Sequence, residues 1–128
     1  MAAKKKYLTR EDILNADDLV REEVSIPEWN NMTAWIRTLT GTERDRFEAS
    51  MLDDAKAGKL NLRNLRARLV VESLVDKDGN KIFKVFDAEA LGAKSAAALQ
   101  RLFNVAQRLS GFSETDAGDL LSTPVTYE

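Results

Sequence analysis

The stretch Ser25–Arg37, SIPEWNNMTAWIR, restricts the fold more than any other part of the chain. Two apolar runs flank Asn30-Asn31, and asparagine tolerates the left-handed conformation that a tight turn demands. The pattern predicts a β-hairpin with strands over Val20–Trp29 and Thr33–Leu39. Pro27 cannot donate to a ladder, so the first strand should be an edge strand there. A two-residue loop would pair Trp29 with Met32 and Ile26 with Trp35, mixing apolar and polar groups on each face. A three-residue loop, Asn30–Met32, pairs Trp29 with Thr33 and Ile26 with Ile36. It places Val24, Ile26, Ala34 and Ile36 on one face and Pro27, Trp29, Trp35 and Arg37 on the other, and is preferred for that segregation. A lone hairpin is only marginally stable. This one must pack on a helix, recruit a third strand (the run 82–86 is the candidate) or meet another chain.

The rest of the sequence supplies helices. Thr9-Arg10-Glu11-Asp12 has the form of a capping box opening a short helix from Glu11 to about Ala16. Thr42-Glu43-Arg44-Asp45 reads as a second box, for a helix to about Ala57 with Phe47, Met51 and Ala55 as its apolar stripe. Asn61 can cap a helix from Leu62 to about Val75, lined by Leu62, Leu65, Leu69 and Val70. Asp76–Lys81 is a turn, Asp87 caps a brief helix over 88–91, and Gly92 closes it. The clearest helix is Ala96–Leu109, with Ser95 as N-cap and Gly111 at the C′ position. Ala98, Leu99, Leu102, Phe103, Ala106 and Leu109 share one arc. Ser113–Asp116 reads as a third box, for a last helix to about Leu121.

The expected architecture is α+β: an N-terminal β-hairpin packed on a small helical bundle, with helices predominating. Residues 1–6 read as a disordered basic arm, 7–121 as one domain and 122–128 as a flexible tail. No apolar stretch approaches the ~20 residues of a membrane helix. MAAKKKYLTRED has lysines but no apolar run after them, so it does not read as a secretory signal. A cytoplasmic location follows as the default.

The 128 residues include no cysteine and no histidine. That removes disulfides, thiolate zinc sites, cysteine nucleophiles, histidine bases and Ser-His-Asp triads. Metal, cofactor and catalytic residues are expected to be none. Asp76-Lys-Asp78-Gly79-Asn80 resembles a calcium loop, but with Gly79 at the sixth position the first is Leu74 and the twelfth Val85, and neither can serve. Asp53-Asp54-Ala-Lys56 has an acid-x-Lys spacing known from metal nucleases, yet sits near a helix end, where it reads as a solvated face. A net charge of −2 argues against binding nucleic acid through bulk positive charge.

Lys59–Arg68 carries Lys59, Arg63, Arg66 and Arg68 without an acid. On a helix begun at Leu62, Arg66 falls inside the apolar arc. It is then a snorkelling or internally paired arginine, an interface arginine, or a phosphate ligand. Ser113–Glu128 has four acids and no base, which suits a solvated terminus or a basic neighbour. The two tryptophans, sharing one hairpin face, are either covered by the C-terminal helix or left for a partner.

Over Tyr7 to about Leu121 the chain resembles the tail assembly chaperones of long-tailed, siphovirus-type phages. The resemblance is carried by YLTREDIL (7–14), VSIPEW (24–29), LTGTERDRFEAS (39–50), LRNLRARLVVESLVDKDGNKIF (62–83) and LGAKSAAALQRLFNVAQRLSGFSETD (91–116). These are packing and turn patterns. The hairpin tip departs from the glycine-rich turn common in the family. The resemblance implies a non-enzymatic protein of the host bacterial cytoplasm, absent from the mature virion. It would bind the tape measure protein, keep it soluble and help recruit tail tube protein, as a homo-oligomer, with neither membrane nor nucleic acid as partner. It also implies a longer frameshifted form. Helical clients bind apolar grooves, which makes Met51, Leu52, Phe103 and Phe112 candidate groove residues beside Trp29, Trp35, Arg37, Arg63 and Arg66. The alternatives are a structural tail completion or connector protein kept in the virion, a small nucleic-acid-binding regulator and, more distantly, a metal-dependent hydrolase.

Overall fold

The structure is a computed structural model that describes residues 6–52 and 61–111. Phe112, Asp53, Asp54, the last expected helix, the C-terminal tail and residues 1–5 lie outside the described residues. Along the chain come α1 (Arg10–Leu14), β1 (Arg21–Ile26), a 3-10 turn (Pro27–Trp29), β2 (Met32–Arg37), α2 (Gly41–Met51), α3 (Leu65–Ser73), β3 (Leu74–Val75), a second 3-10 turn (Val85–Asp87), α4 (Ala88–Gly92) and α5 (Ala96–Leu109). The class is α+β with helices predominating, as expected.

The hairpin exists, with another register. Ile26 pairs with Met32, Val24 with Ala34 and Glu22 with Ile36, where the three-residue loop would have matched Ile26 to Ile36. Pro27 opens a 3-10 turn that takes Trp29 out of the strand, and its fixed φ suits a first helical position. Asn30 and Asn31, both at φ 56°, then complete a longer connection. The displacement along β2 is four residues. An even shift preserves faces, so Val24, Ile26, Ala34 and Ile36 still share the inner face.

α5 lies on that inner face. Ile26 and Ile36 belong to one core with Leu65, Leu69 and Val70 of α3 and Ala98, Leu99, Leu102, Phe103 and Ala106 of α5. The helix forms where its pattern said: Ser95 accepts the Ala98 N–H, and Gly111 is left-handed at φ 79°. Polar links hold it along the hairpin. Arg101 meets Glu28 at 3.0 Å, Arg108 meets Glu22, and Thr38 Oγ1 donates to the Leu109 carbonyl at 3.1 Å.

Several boundaries differ from the sequence reading. The box at α2 is Thr40 with Glu43, not Thr42 with Asp45: Thr40 Oγ1 accepts from Glu43 N at 3.1 Å and Glu43 returns a carboxylate oxygen to Thr40 N at 2.9 Å. α3 begins after Asn64, left-handed at φ 53°, so Leu62 is outside the helix, and Asn61 instead accepts the Arg63 N–H. It ends at Ser73, because Leu74–Val75 pairs with Trp35 and Ile36 as a third strand, in the order β1-β2-β3. The recruited strand is thus 74–75. The run 82–86 contributes no strand; the neighbouring Lys81 makes one bridge to Val75.

Asp87 holds the second 3-10 turn by accepting the Lys84 N–H at 2.8 Å. Gly92, read as a helix stop, makes room: a Cβ there would collide with the Asn64 amide, 2.8 Å from Cγ and nearer still to Oδ1. Gly92→Ala should destabilise by about 1–2 kcal/mol. Asn64→Gly should recover most of that loss in a denaturant midpoint, since glycine is at ease in a left-handed position.

Candidate functional site

The outer face of the sheet carries Arg21, Glu23, Ser25, Thr33, Trp35 and Arg37. The two tryptophans do not share it. Trp29 packs partly buried against the core from the 3-10 turn, whereas Trp35 stays outside, half-buried, with the Arg21 guanidinium 5.1 Å above its ring. Arg21 is fixed by donating to the Lys77 carbonyl at 2.7 Å. That carbonyl belongs to the turn after β3, where Asp76 Oδ1 accepts the N–H groups of Asp78 and Asn80 and Gly79 adopts φ 87°.

Beside Trp35 runs a chain of ion pairs. Arg37 reaches Glu43 at the start of α2, Lys81 sits 3.4 Å from Glu43 and 2.6 Å from Glu72, and Arg46 grips Glu72 with two bonds of 2.6 and 2.9 Å. Glu72 is 3% exposed and Glu43 8%. Burial pushes both carboxyls up. For Glu43 the Thr40 N–H with Arg37 and Lys81, and for Glu72 the bonds from Arg46 and Lys81, outweigh it and hold the net value below the usual glutamate range. The network ties β2, α2, α3 and the turn after β3 together. In this way the domain covers part of its outer sheet face with charge.

Next to the network, α2 and α3 frame a cavity of about 200 Å³ walled by Phe47, Ser50, Val71, Glu72, Val85 and Ala88, among others. Val85 and Phe86 are 55% and 77% exposed, and Lys84 Nζ lies 5.9 Å from the Phe86 ring. Nothing in the pattern of the 82–86 run, read as a strand, separated these outward apolar groups from core. Leu52 is also exposed, at the end of α2, but Met51 and Phe103 are core, at 3% and 5% exposure.

The basic stretch is engaged within the chain. Arg63 pairs with Glu89 at 2.9 Å, Arg66 Nε donates to Gln100 Oε1 at 2.5 Å with its guanidinium 5.8 Å from the Phe103 ring, and Arg68 donates to Ser50 Oγ and to the Asn61 and Arg63 carbonyls. Arg66 is exposed although it falls between Leu69 and Val70 in helical angle: it lies in the first turn of α3, and its long side chain carries the guanidinium past the Phe103 ring to Gln100. Among the described residues no three acidic side chains converge as a metal site, and no helix is long and apolar enough to cross a membrane.

These features define a small α+β protein whose described chemistry is packing, ion pairing and apolar surface. Residues 9–120 match the family described as phage tail assembly chaperone, and the chain belongs to that family. A solved structure titled "Structure of bacteriophage HK97 tail assembly chaperone" is similar, with a TM-score of 0.59, over 81% of this chain and 95% of that one. The identity is 18%, so this likeness speaks for the fold. No curated protein sequence matches.

Proposed function

We propose that this chain acts in the host bacterial cytoplasm by binding the tape measure protein, keeping it soluble and helping to recruit tail tube protein, and that it is absent from the finished virion. The observation that carries the reading is family membership over nearly the whole chain. The physical chemistry agrees with it. A tape measure protein presents long amphipathic helices, and such helices dock through apolar anchors in grooves. A protein that covers apolar surface on its client lowers the client's aggregation by mass action. Val85, Phe86 and Leu52 offer exposed apolar contacts, and the half-buried Trp35 another on the outer sheet face, while Arg37 is held by Glu43. Met51 and Phe103 serve the fold instead.

Co-expression with the tape measure protein tests the reading. The client should move into the soluble fraction and co-purify with this chain. Unchanged solubility with no complex would sink it. Mass spectrometry of purified virions separates the chaperone from a tail completion or connector protein: the chaperone is expected to be missing, and stoichiometric recovery would favour the structural component.

A further inference from the structure

The groove between α2 and α3 is apolar and cationic at once. Phe47, Val71 and Val85 line its cavity of about 200 Å³ together with Arg46, Arg68 and Glu72. A cavity of roughly 150 Å³ takes a benzene-sized group, so this one has room for a leucine side chain. Two cations stand against one acid, and that acid is already engaged: Glu72 accepts from Nε and Nη2 of Arg46 and from the Lys81 ammonium. The Arg46 pairing uses one edge of the guanidinium, so the Nη1 N–H groups remain for a further acceptor. Its side chain is 45% exposed, which leaves that edge reachable.

The chain leaves α5 close to this groove. Leu39 N donates to Ser110 Oγ and Thr38 Oγ1 to the Leu109 carbonyl, both at 3.1 Å, and Thr40 is the N-cap of α2. From that cap Phe47 is about 10 Å along the helix and Ser50 about 15 Å. The run Phe112–Leu121 comes next in the sequence. It spans about 15 Å as a helix and about 33 Å extended, so either form covers the distance. Beyond Gly111 the chain carries Glu114, Asp116, Asp119 and Glu128 with no Lys or Arg, and Leu120-Leu121 follows Asp119 directly. An acidic segment with an apolar pair thus begins beside a cationic groove with an apolar cavity.

We propose that the segment Asp116–Leu121 docks in the α2–α3 groove of its own chain, with the Leu120-Leu121 pair at the cavity and Asp116 and Asp119 toward Arg46. The short tether decides for its own groove over a neighbour's, because a short link gives an effective concentration on the order of millimolar. Even a weak contact is then populated within the monomer. Docked there, the segment covers Val85, which is otherwise 55% exposed. Val85 is among the contacts offered to the client, so the segment is an internal competitor that an amphipathic client helix displaces. That consequence rests on the proposed tape measure binding. The docking is read on the protein alone, so either can fail without the other.

The chain has no cysteine, so engineered pairs have no native rivals for disulfide formation. Oxidation of the full chain carrying Val85→Cys and Leu121→Cys should give a crosslinked species of monomer mass. It should form about tenfold faster than with Thr33→Cys and Leu121→Cys, where Thr33 is exposed on the outer sheet face. Adding Asp116→Lys and Asp119→Lys should slow the first crosslink about threefold or more. A maleimide should label Val85→Cys about threefold faster or more once Leu120→Asp and Leu121→Asp release the segment. Thermal melts establish that each variant is folded. A crosslink at Thr33 that is as fast, a Val85 crosslink found only between two chains, or labelling of Val85→Cys indifferent to Leu120 and Leu121 overturns the proposal.

Discussion

Leu102→Ala is expected to destabilise the fold by about 3–4 kcal/mol. Leu102 is fully buried in the core that joins α5 to the hairpin and α3. Truncation removes the transfer free energy of the lost methyl groups and leaves a cavity that rigid neighbours on several sides cannot close. Against a typical total of roughly 5–15 kcal/mol, that is a large fraction. In a chain of this size the melting temperature should fall by roughly 10–15 °C. Leu62→Ala is the control. Leu62 is 37% exposed, and its loss should change stability by less than about 1 kcal/mol. Equal effects at the two positions would contradict the core described above.

Glu72→Ala should cost about 2–3 kcal/mol, because it leaves Arg46 and Lys81 without their shared partner. The cost falls short of the deepest buried pairs because the Arg46 side chain is 45% exposed and can turn to water. The same network sets an acid response. Glu43 and Glu72 have folded-state values lowered from the usual 4.5. A lowered value means that the unfolded chain takes up protons first as pH falls. The stabilisation is therefore fully present above the usual glutamate range and is lost as pH drops through the folded-state values. Denaturant midpoints across this range should show that loss in the wild type and a shallower one in Glu72→Gln. An identical acid response in the two would remove Glu72 from the explanation.

The elements most legible in the sequence are those whose signals are local. α5 has an N-cap, a full apolar arc and a C′ glycine within one stretch, and tertiary context had nothing to override. The inner hairpin face was readable for another reason: side-chain alternation has a period of two, so a four-residue error in pairing leaves every side chain on its proper side. The candidate site was less legible. Trp29 and Trp35 looked equivalent by alternation, yet a 3-10 turn opened by Pro27 removes Trp29 from the ladder. Arg66 sits in the apolar arc by angle, yet its long side chain carries the charge out past Phe103 to Gln100, which periodicity cannot show. Val85 and Phe86 looked like strand and are outward groups on a turn.

Composition and local pattern alone determined the α+β class, the absence of cysteine and histidine chemistry, the helix over 96–109 and the face that the hairpin buries. Caps, periodicity and residue inventory act within a few residues, so they can be read without coordinates. Tertiary structure decided the hairpin register, the end of α3 and the fate of the outer sheet face. Leu74–Val75 leaves a helical pattern because the open edge of β2 offers backbone partners, and hydrogen-bonding groups must be satisfied somewhere. Arg37, Glu43, Arg46, Glu72 and Lys81 come from four separate parts of the chain and meet only once α2 and α3 are packed. Contacts between residues far apart in sequence depend on which loop closures the whole core repays, and no local signal encodes that sum.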